Sequence, residues 1–411
     1  MLAPGRARDA LEVAREVAGR LARPGAAREA VAAAREQTTQ PGSVYWLPQG
    51  LAQGDAGLAL LFGQLDACFP DEGWDRLAHA SLQEASRGAG EAVGGGLFSG
   101  LPGLGFATDF LSRGGRRYQR LLQTLDEAIH REAEAMLADL PEEGLAAREW
   151  DLVSGLVGLG VWARARRSPL LPRLRDSLAR RAAATGPGTG LFVPGPRIAN
   201  PGLRGEAPEG HLDLGLAHGI AGPMAWLALE DPEAGEAVTR LADLLEAHRS
   251  DDAWGPNWAS AAPAREQAFL PGPPTHAAWC YGAPGVARAL WHAGRRELAL
   301  DAMRAVAARP PEARRLVAPG LCHGFGGLLL HALRFWHDTG DPAMEGLALE
   351  MAERVLQDWD PESLLGFRSA EPGGIRLDHP GFLDGAPGVA LALLAAATDR
   401  EPTWDRVLLL S

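Results

Sequence analysis

A Gly-x-x-Gly pair followed by an apolar segment occurs seven times in this chain, and that repetition constrains the fold more than any other feature. The pairs are Gly54 and Gly57 in "QGDAGLALLFGQL", Gly100 and Gly103 in "SGLPGLGFATDFL", Gly155 and Gly158 in "SGLVGLGVWARAR", and Gly219 and Gly222 in "HGIAGPMAWLALE". Gly282 and Gly285 follow in "WCYGAPGVARAL", Gly324 and Gly327 in "LCHGFGGLLLHAL", and Gly385 and Gly388 in "DGAPGVALALLAA". First glycines are spaced 46, 55, 64, 63, 42 and 61 residues apart, room for one helical hairpin and a variable loop per repeat. The segments after the glycines are apolar nearly all round and read as inner helices. The segments between, such as "RDALEVAREVAGRLA" and "GEAVTRLADLLEAH", are charged with apolar residues at spacings of three and four, and read as outer helices. Alternation of the two predicts an all-α fold, a closed α/α toroid of seven inner and seven outer helices. Length alone, at about 150 residues per domain, would give two or three domains. The repeat instead predicts one, spanning 1–411.

Glycine inside a helix costs about 1 kcal/mol relative to Ala, so fourteen of them need a cause. Residues three apart share a helix face, so the pairs are expected to let neighbouring inner helices approach closely. Two Gly- and Pro-rich stretches, 185–210 and 251–274, read as irregular loops with no clear strands. Long loops of this kind are often functional.

Forty basic residues against 52 acidic ones give a net charge of -12, which argues against a nucleic-acid partner. Lysine is absent, so neither Schiff-base chemistry nor a P-loop is available. No run approaches the roughly 20 apolar residues that span a bilayer. Three cysteines are too few for a disulfide scaffold. A cytoplasmic protein with reduced thiols is the expectation.

The repeat places chemistry on one rim. Cys280 is two residues before Gly282, and Cys322 is two before Gly324, with His323 alongside. Equivalent places in adjacent repeats make the two thiols neighbours. Two thiolates and an imidazole suit Zn(II), and three protein ligands leave a fourth position open, as in catalytic zinc sites. Cys68 lacks this placement and reads as core. Also on the rim are His218 before Gly219, Asp151 four before Gly155, Tyr281 after Cys280, and His276 four before Cys280. Asp384, before Gly385, reads as a helix cap. His211, His292, His331 and His337 fall off the pattern and read as structural or surface residues.

The segments "WDLVSGLVGLG", "GLAHGIAG", "WCYGAPGVARAL", "LCHGFGGLL" and "FLDGAPGVALAL" resemble, in order, the lanthionine synthetase C-like family. The resemblance implies the same toroid, with zinc held by Cys280, Cys322 and His323. It implies a cyclase that adds peptide cysteines to dehydroalanine or dehydrobutyrine, forming thioether rings in a precursor already processed by a separate dehydratase. His218 is then the candidate proton donor, Asp151 its orienting partner, and His276 or Tyr281 the donor to the enolate oxygen. Bacterial members usually carry Arg where His276 stands. A family member adding glutathione to dehydrated residues, or a non-catalytic binding partner, is an alternative reading. So is another α/α-barrel enzyme, a zinc prenyltransferase or a two-carboxylate glycosidase using Asp151 and Asp384.

Overall fold

The computed structural model describes residues 2–40, 42–91, 95–231, 235–273 and 275–411. Among them, the seven inner helices are Asp55–Cys68, Leu101–Leu111, Leu156–Arg166, Ala221–Glu230, Ala283–His292, Phe325–Thr339 and Ala386–Ala397. Each packs on the next, and the last packs on the first, so the ring closes. Seven outer helices surround it: Pro4–Leu21, Trp74–Arg87, Gln119–Asp139, Leu171–Ala183, Gly235–Ala247, Arg296–Ala308 and Pro342–Gln357. The first of these covers the last inner helix, joining the two ends of the ring. The architecture is an α/α toroid.

The two helix types differ as their sequences dictate. Trp74–Arg87 buries only Ala78, Ser81, Leu82 and Ala85, one stripe at helical spacing. Ala386–Ala397 buries every residue from Ala386 to Ala396, because it touches neighbours on all sides. No helix among the described residues is long and apolar enough to cross a membrane.

The glycine pairs have a more particular job than close helix approach. The first glycine is the N-cap in six repeats; in the fourth, the cap is Ile220 and Gly219 lies one residue earlier. The second glycine sits in the first turn, where a Cβ would clash with the carbonyl six residues earlier in the same chain: Leu97 for Gly103, Leu321 for Gly327, Phe382 for Gly388. The connecting turn therefore crosses over the helix start, and only glycine leaves room for it. On several of these glycines the preceding repeat also presses, as Leu216 Cβ does at 3.0 Å from the Cβ position of Gly285.

The crossing turns are stitched into a circle by main-chain hydrogen bonds. Ala52 N–H donates to Phe98 O, Phe98 to Val153, Leu152 to Ala217, Leu216 to Cys280, Cys280 to Cys322, Leu321 to Leu383, and Phe382 back to Ala52, all at 2.7–3.4 Å. These main-chain groups of the turns are thus satisfied by neighbouring repeats. Substitution should read this out. Gly327→Ala, clashing with Leu321 O, is expected to destabilise by about 1–3 kcal/mol, the usual cost of overpacking. Gly346→Ala, in an outer helix with nothing within 4 Å of the new methyl, is expected to stabilise by about 0.4–1 kcal/mol. Thermal or denaturant melts with opposite signs for the two would verify the assignment.

The loops depart from expectation. Instead of irregular coil they build one antiparallel sheet: Val193–Pro194 pairs with Gly210–Asp213, which pairs with Ala261–Arg265, which pairs with Ala268–Phe269. The first loop also holds a short helix, Pro201–Glu206, capped by the Asn200 side chain. Pro274, the end of the second loop, lies outside the described residues. The sheet sets Asp213 opposite Ala261 and delivers it to the rim.

Candidate metal centre and acid–base cluster

Cys280 and Cys322 lie in adjacent rim turns, tied by the Cys280 N–H to Cys322 O hydrogen bond of 3.2 Å. Gly282, at φ +97, opens the turn after Cys280 and leaves space for the His276 carbonyl. From below, the indole of Trp279 donates to Leu408 O at 2.9 Å, anchoring the same turn to the segment Thr403–Leu408 that fills the floor of the ring. The result is a cluster in which the ligand atoms of Cys280, Cys322 and His323 all lie within 4.8 Å of one another.

The cluster is polarised. A hydrogen bond from Cys322 holds the Cys280 thiol well below its ordinary pKa, against the effect of burial, and the imidazoles of His276 and His323 add to this. The same hydrogen bond and burial push Cys322 up. His323 rises to about 9, chiefly through its hydrogen bond to Cys280, with burial opposing and Asp384 assisting. Two cysteine sulfurs, one made more acidic by its neighbours, and an imidazole are a donor set that fits a thiophilic cation. Asp384 does not cap its helix: Gly385 holds that place without a side-chain bond. Asp384 Oδ1 instead stands 3.7 Å from His323 Nδ1, where a carboxylate can orient the ring. Cys68 lies apart from the cluster, half-buried at the end of the first inner helix, 3.7 Å from Thr398 Oγ1.

A second cluster occupies the neighbouring turns. His218 Nδ1 meets Asp151 Oδ2 at 2.6 Å. Asp151 is 1% exposed, and its other oxygen accepts the Ser154 and Gly155 N–H groups at 2.7 and 3.0 Å. That locks the carboxylate at the start of an inner helix. Burial opposes charge on His218, but the hydrogen bond and charge of Asp151 outweigh it, with Asp213 and Cys280 contributing, so the pKa is raised. The His218 side chain is still 42% exposed, open to the rim.

Asp213 is the residue that sequence reasoning passed over. It is 6% exposed, accepts the Tyr281 hydroxyl at 3.0 Å, and takes the Gly215 N–H at 3.0 Å on its other oxygen. Burial lifts its carboxyl to about 6. Tyr281, whose phenol burial and Asp213 raise far above the ordinary value, packs its ring 6.4 Å from that of His218. Asp213 stands six residues before Gly219, the offset His276 has from Gly282; applying that offset to every repeat would have found it. His211, in the same strand, has its Nε2 4.0 Å from Asp213 Oδ2, and burial depresses it to about 4. His276 lies beside the metal cluster, its ring 6.4 Å from that of His323.

The family model described as lanthionine synthetase C-like protein matches residues 45–409. The nisin biosynthesis protein NisC of Lactococcus lactis subsp. lactis is 23% identical over 311 residues, covering 68% of this chain and 72% of that protein. A solved structure of nisin cyclase superposes with a TM-score of 0.76 at 19% identity, covering 93% of this chain and 96% of that one. The family match takes in all seven repeats and both rim clusters, and on that span the chain belongs to the lanthionine synthetase C-like family.

Proposed function

We propose that the protein is a zinc-dependent lanthipeptide cyclase that closes thioether rings in a dehydrated precursor peptide. The observation that carries this is the convergence of two clusters on one rim: Cys280, Cys322 and His323 within 4.8 Å, and the hydrogen-bonded His218–Asp151 pair one repeat away. Membership of the family weighs against the prenyltransferase and glycosidase readings. Cys280, Cys322 and His323 would hold the zinc. When bound, the metal supplies a site where an incoming cysteine sulfur stays deprotonated near neutral pH.

The chain's own residues supply the rest. Addition of the sulfur to the alkene β-carbon leaves an electron pair on the α-carbon and its carbonyl. His218, charged through Asp151, delivers the proton to the α-carbon and is recharged by the proton the thiol gives up, so the addition is balanced without a redox partner. Asp151 fixes the donor nitrogen by holding Nδ1–H. Asp213 anchors Tyr281 beside His218, and His276 stands beside Cys280 and His323. The dehydrated substrate implies a separate dehydratase, and the free thiols suit a reducing, cytosolic setting.

Purified protein should be incubated with a dehydrated precursor peptide, its free thiols then alkylated and counted by mass spectrometry. Loss of alkylation sites at unchanged peptide mass is the expected result. Mass gains of one glutathione per dehydrated residue, when glutathione is supplied, would point to intermolecular addition instead.

A further inference from the structure

Resting on the zinc reading above, we infer that His276 is a fourth, displaceable ligand of the metal. Its backbone is fixed: the carbonyl accepts the Ala278 N–H at 3.0 Å and lies where Gly282 has no Cβ, and Ala277 N–H binds Arg314 O at 2.9 Å. Its imidazole is not satisfied. Nε2 is buried and makes no directed hydrogen bond, although the ring lies against the Cys280 sulfur and 6.4 Å from the ring of His323. Nδ1 is 3.4 Å from Thr275 Oγ1. An Nδ1–H given to that hydroxyl leaves a lone pair on Nε2, the form that binds metals. A buried nitrogen that makes no directed hydrogen bond, on a ring against the Cys280 sulfur, is an orphan that a metal ligand bond would satisfy.

Coordination chemistry agrees. Zinc takes four ligands in a tetrahedron, and the tight trio supplies three. His276 is outside that trio, on a stretch with no helix between the sheet and the inner helix Ala283–His292, and a rotation of its side chain toward the cluster would bring a nitrogen to the fourth position. A ligand held this loosely closes the resting site to water and stray thiols. It would yield to a cysteine that the rest of the peptide brings close: the Zn–N bond to His276 would break as the Zn–S bond forms, the thiol proton being the one that recharges His218, with no change of oxidation state. Arginine could not do this, having no lone pair to offer.

X-ray absorption at the zinc edge tests it on the full chain loaded with zinc alone. The wild type is expected to show two sulfur and two nitrogen ligands, the nitrogens told from oxygen by the outer-shell scattering of two imidazole rings. His276→Ala and His276→Arg should each show two sulfur, one nitrogen and one oxygen, and bind zinc about 10–100-fold more weakly in a chelator competition. Excess ethanethiol added to the wild type should give three sulfurs and one nitrogen. Melting curves of both variants keep a folding defect from being mistaken for ligand loss. An oxygen ligand already present in the wild type, or a spectrum unchanged in both variants, overturns the inference and leaves the zinc site standing. Wild-type protein that binds no zinc overturns the metal reading, and this inference with it.

Discussion

Cys280→Ala is expected to lose metal binding by roughly 100-fold or more and to bring cyclisation down to background. The size follows from zinc energetics: about 10–16 kcal/mol of apparent binding is spread over four ligands, so one thiolate is worth about 3 kcal/mol. Cys280 is also the thiol whose pKa its neighbours lower, chiefly through Cys322, so its loss removes the more acidic of the two sulfur ligands. The fold should survive. The three hydrogen bonds by which Cys280 joins neighbouring turns, Leu216 and Ala217 N–H to Cys280 O and Cys280 N–H to Cys322 O, are all main chain and persist in alanine. Metal analysis after gel filtration, with a melt of the same sample, is the measurement. Full zinc occupancy in the mutant would remove Cys280 from the ligand set. The mirror experiment is Cys68→Ala, which should leave zinc content untouched, since Cys68 bonds only weakly to Thr398 and Gln64 far along the first inner helix.

How much of this was legible in the sequence depends on whether a feature repeats. The toroid was legible because each turn must cross its own helix start, which forces glycine at a fixed offset seven times over. The neighbourhood of Cys280 and Cys322 was legible for the same reason. The small sheet was not. Its strands run two to five residues, and the partners Asp213 and Ala261 are joined only by long-range pairing that leaves no period in the sequence. Asp384 was misread by one residue: the helix starts at Ala386, so Gly385 takes the cap and Asp384 falls outside it, free to face His323. Asp213 was not legible as a site residue because its role comes from a hydrogen bond to Tyr281, 68 positions away, which leaves no local pattern. Tyr281, expected with His276 as a donor to an enolate oxygen, gives its hydroxyl hydrogen to Asp213 in this structure.

His218→Asn should retain zinc but slow cyclisation by roughly 100- to 10,000-fold, the range of a positioned general acid–base group. Asp151→Asn should be nearly as damaging, for a reason the geometry makes specific. In the wild type the carboxylate accepts from Nδ1, which favours the doubly protonated ring. An asparagine that keeps its oxygen on the Ser154 and Gly155 N–H groups must turn its NH₂ toward Nδ1, which then has to be an acceptor. The imidazolium loses its support. The pH dependence separates the two mutants. Because His218 has a raised pKa, its acid form persists above the ordinary histidine range, and kcat limited by protonation falls only as pH rises through that raised value. Asp151→Asn removes the main raising influence, so the alkaline limb should move to lower pH; His218→Asn should erase it. The stability sign runs the same way: a histidine raised in the folded state adds stability that is fully present below its unfolded pKa and is lost as pH rises through the folded one. Melting temperatures of wild type and Asp151→Asn should therefore differ most below about pH 6.5, the unperturbed histidine value. An alkaline limb that stays in place in Asp151→Asn would take the pair out of proton delivery and leave Asp151 as a turn-building residue.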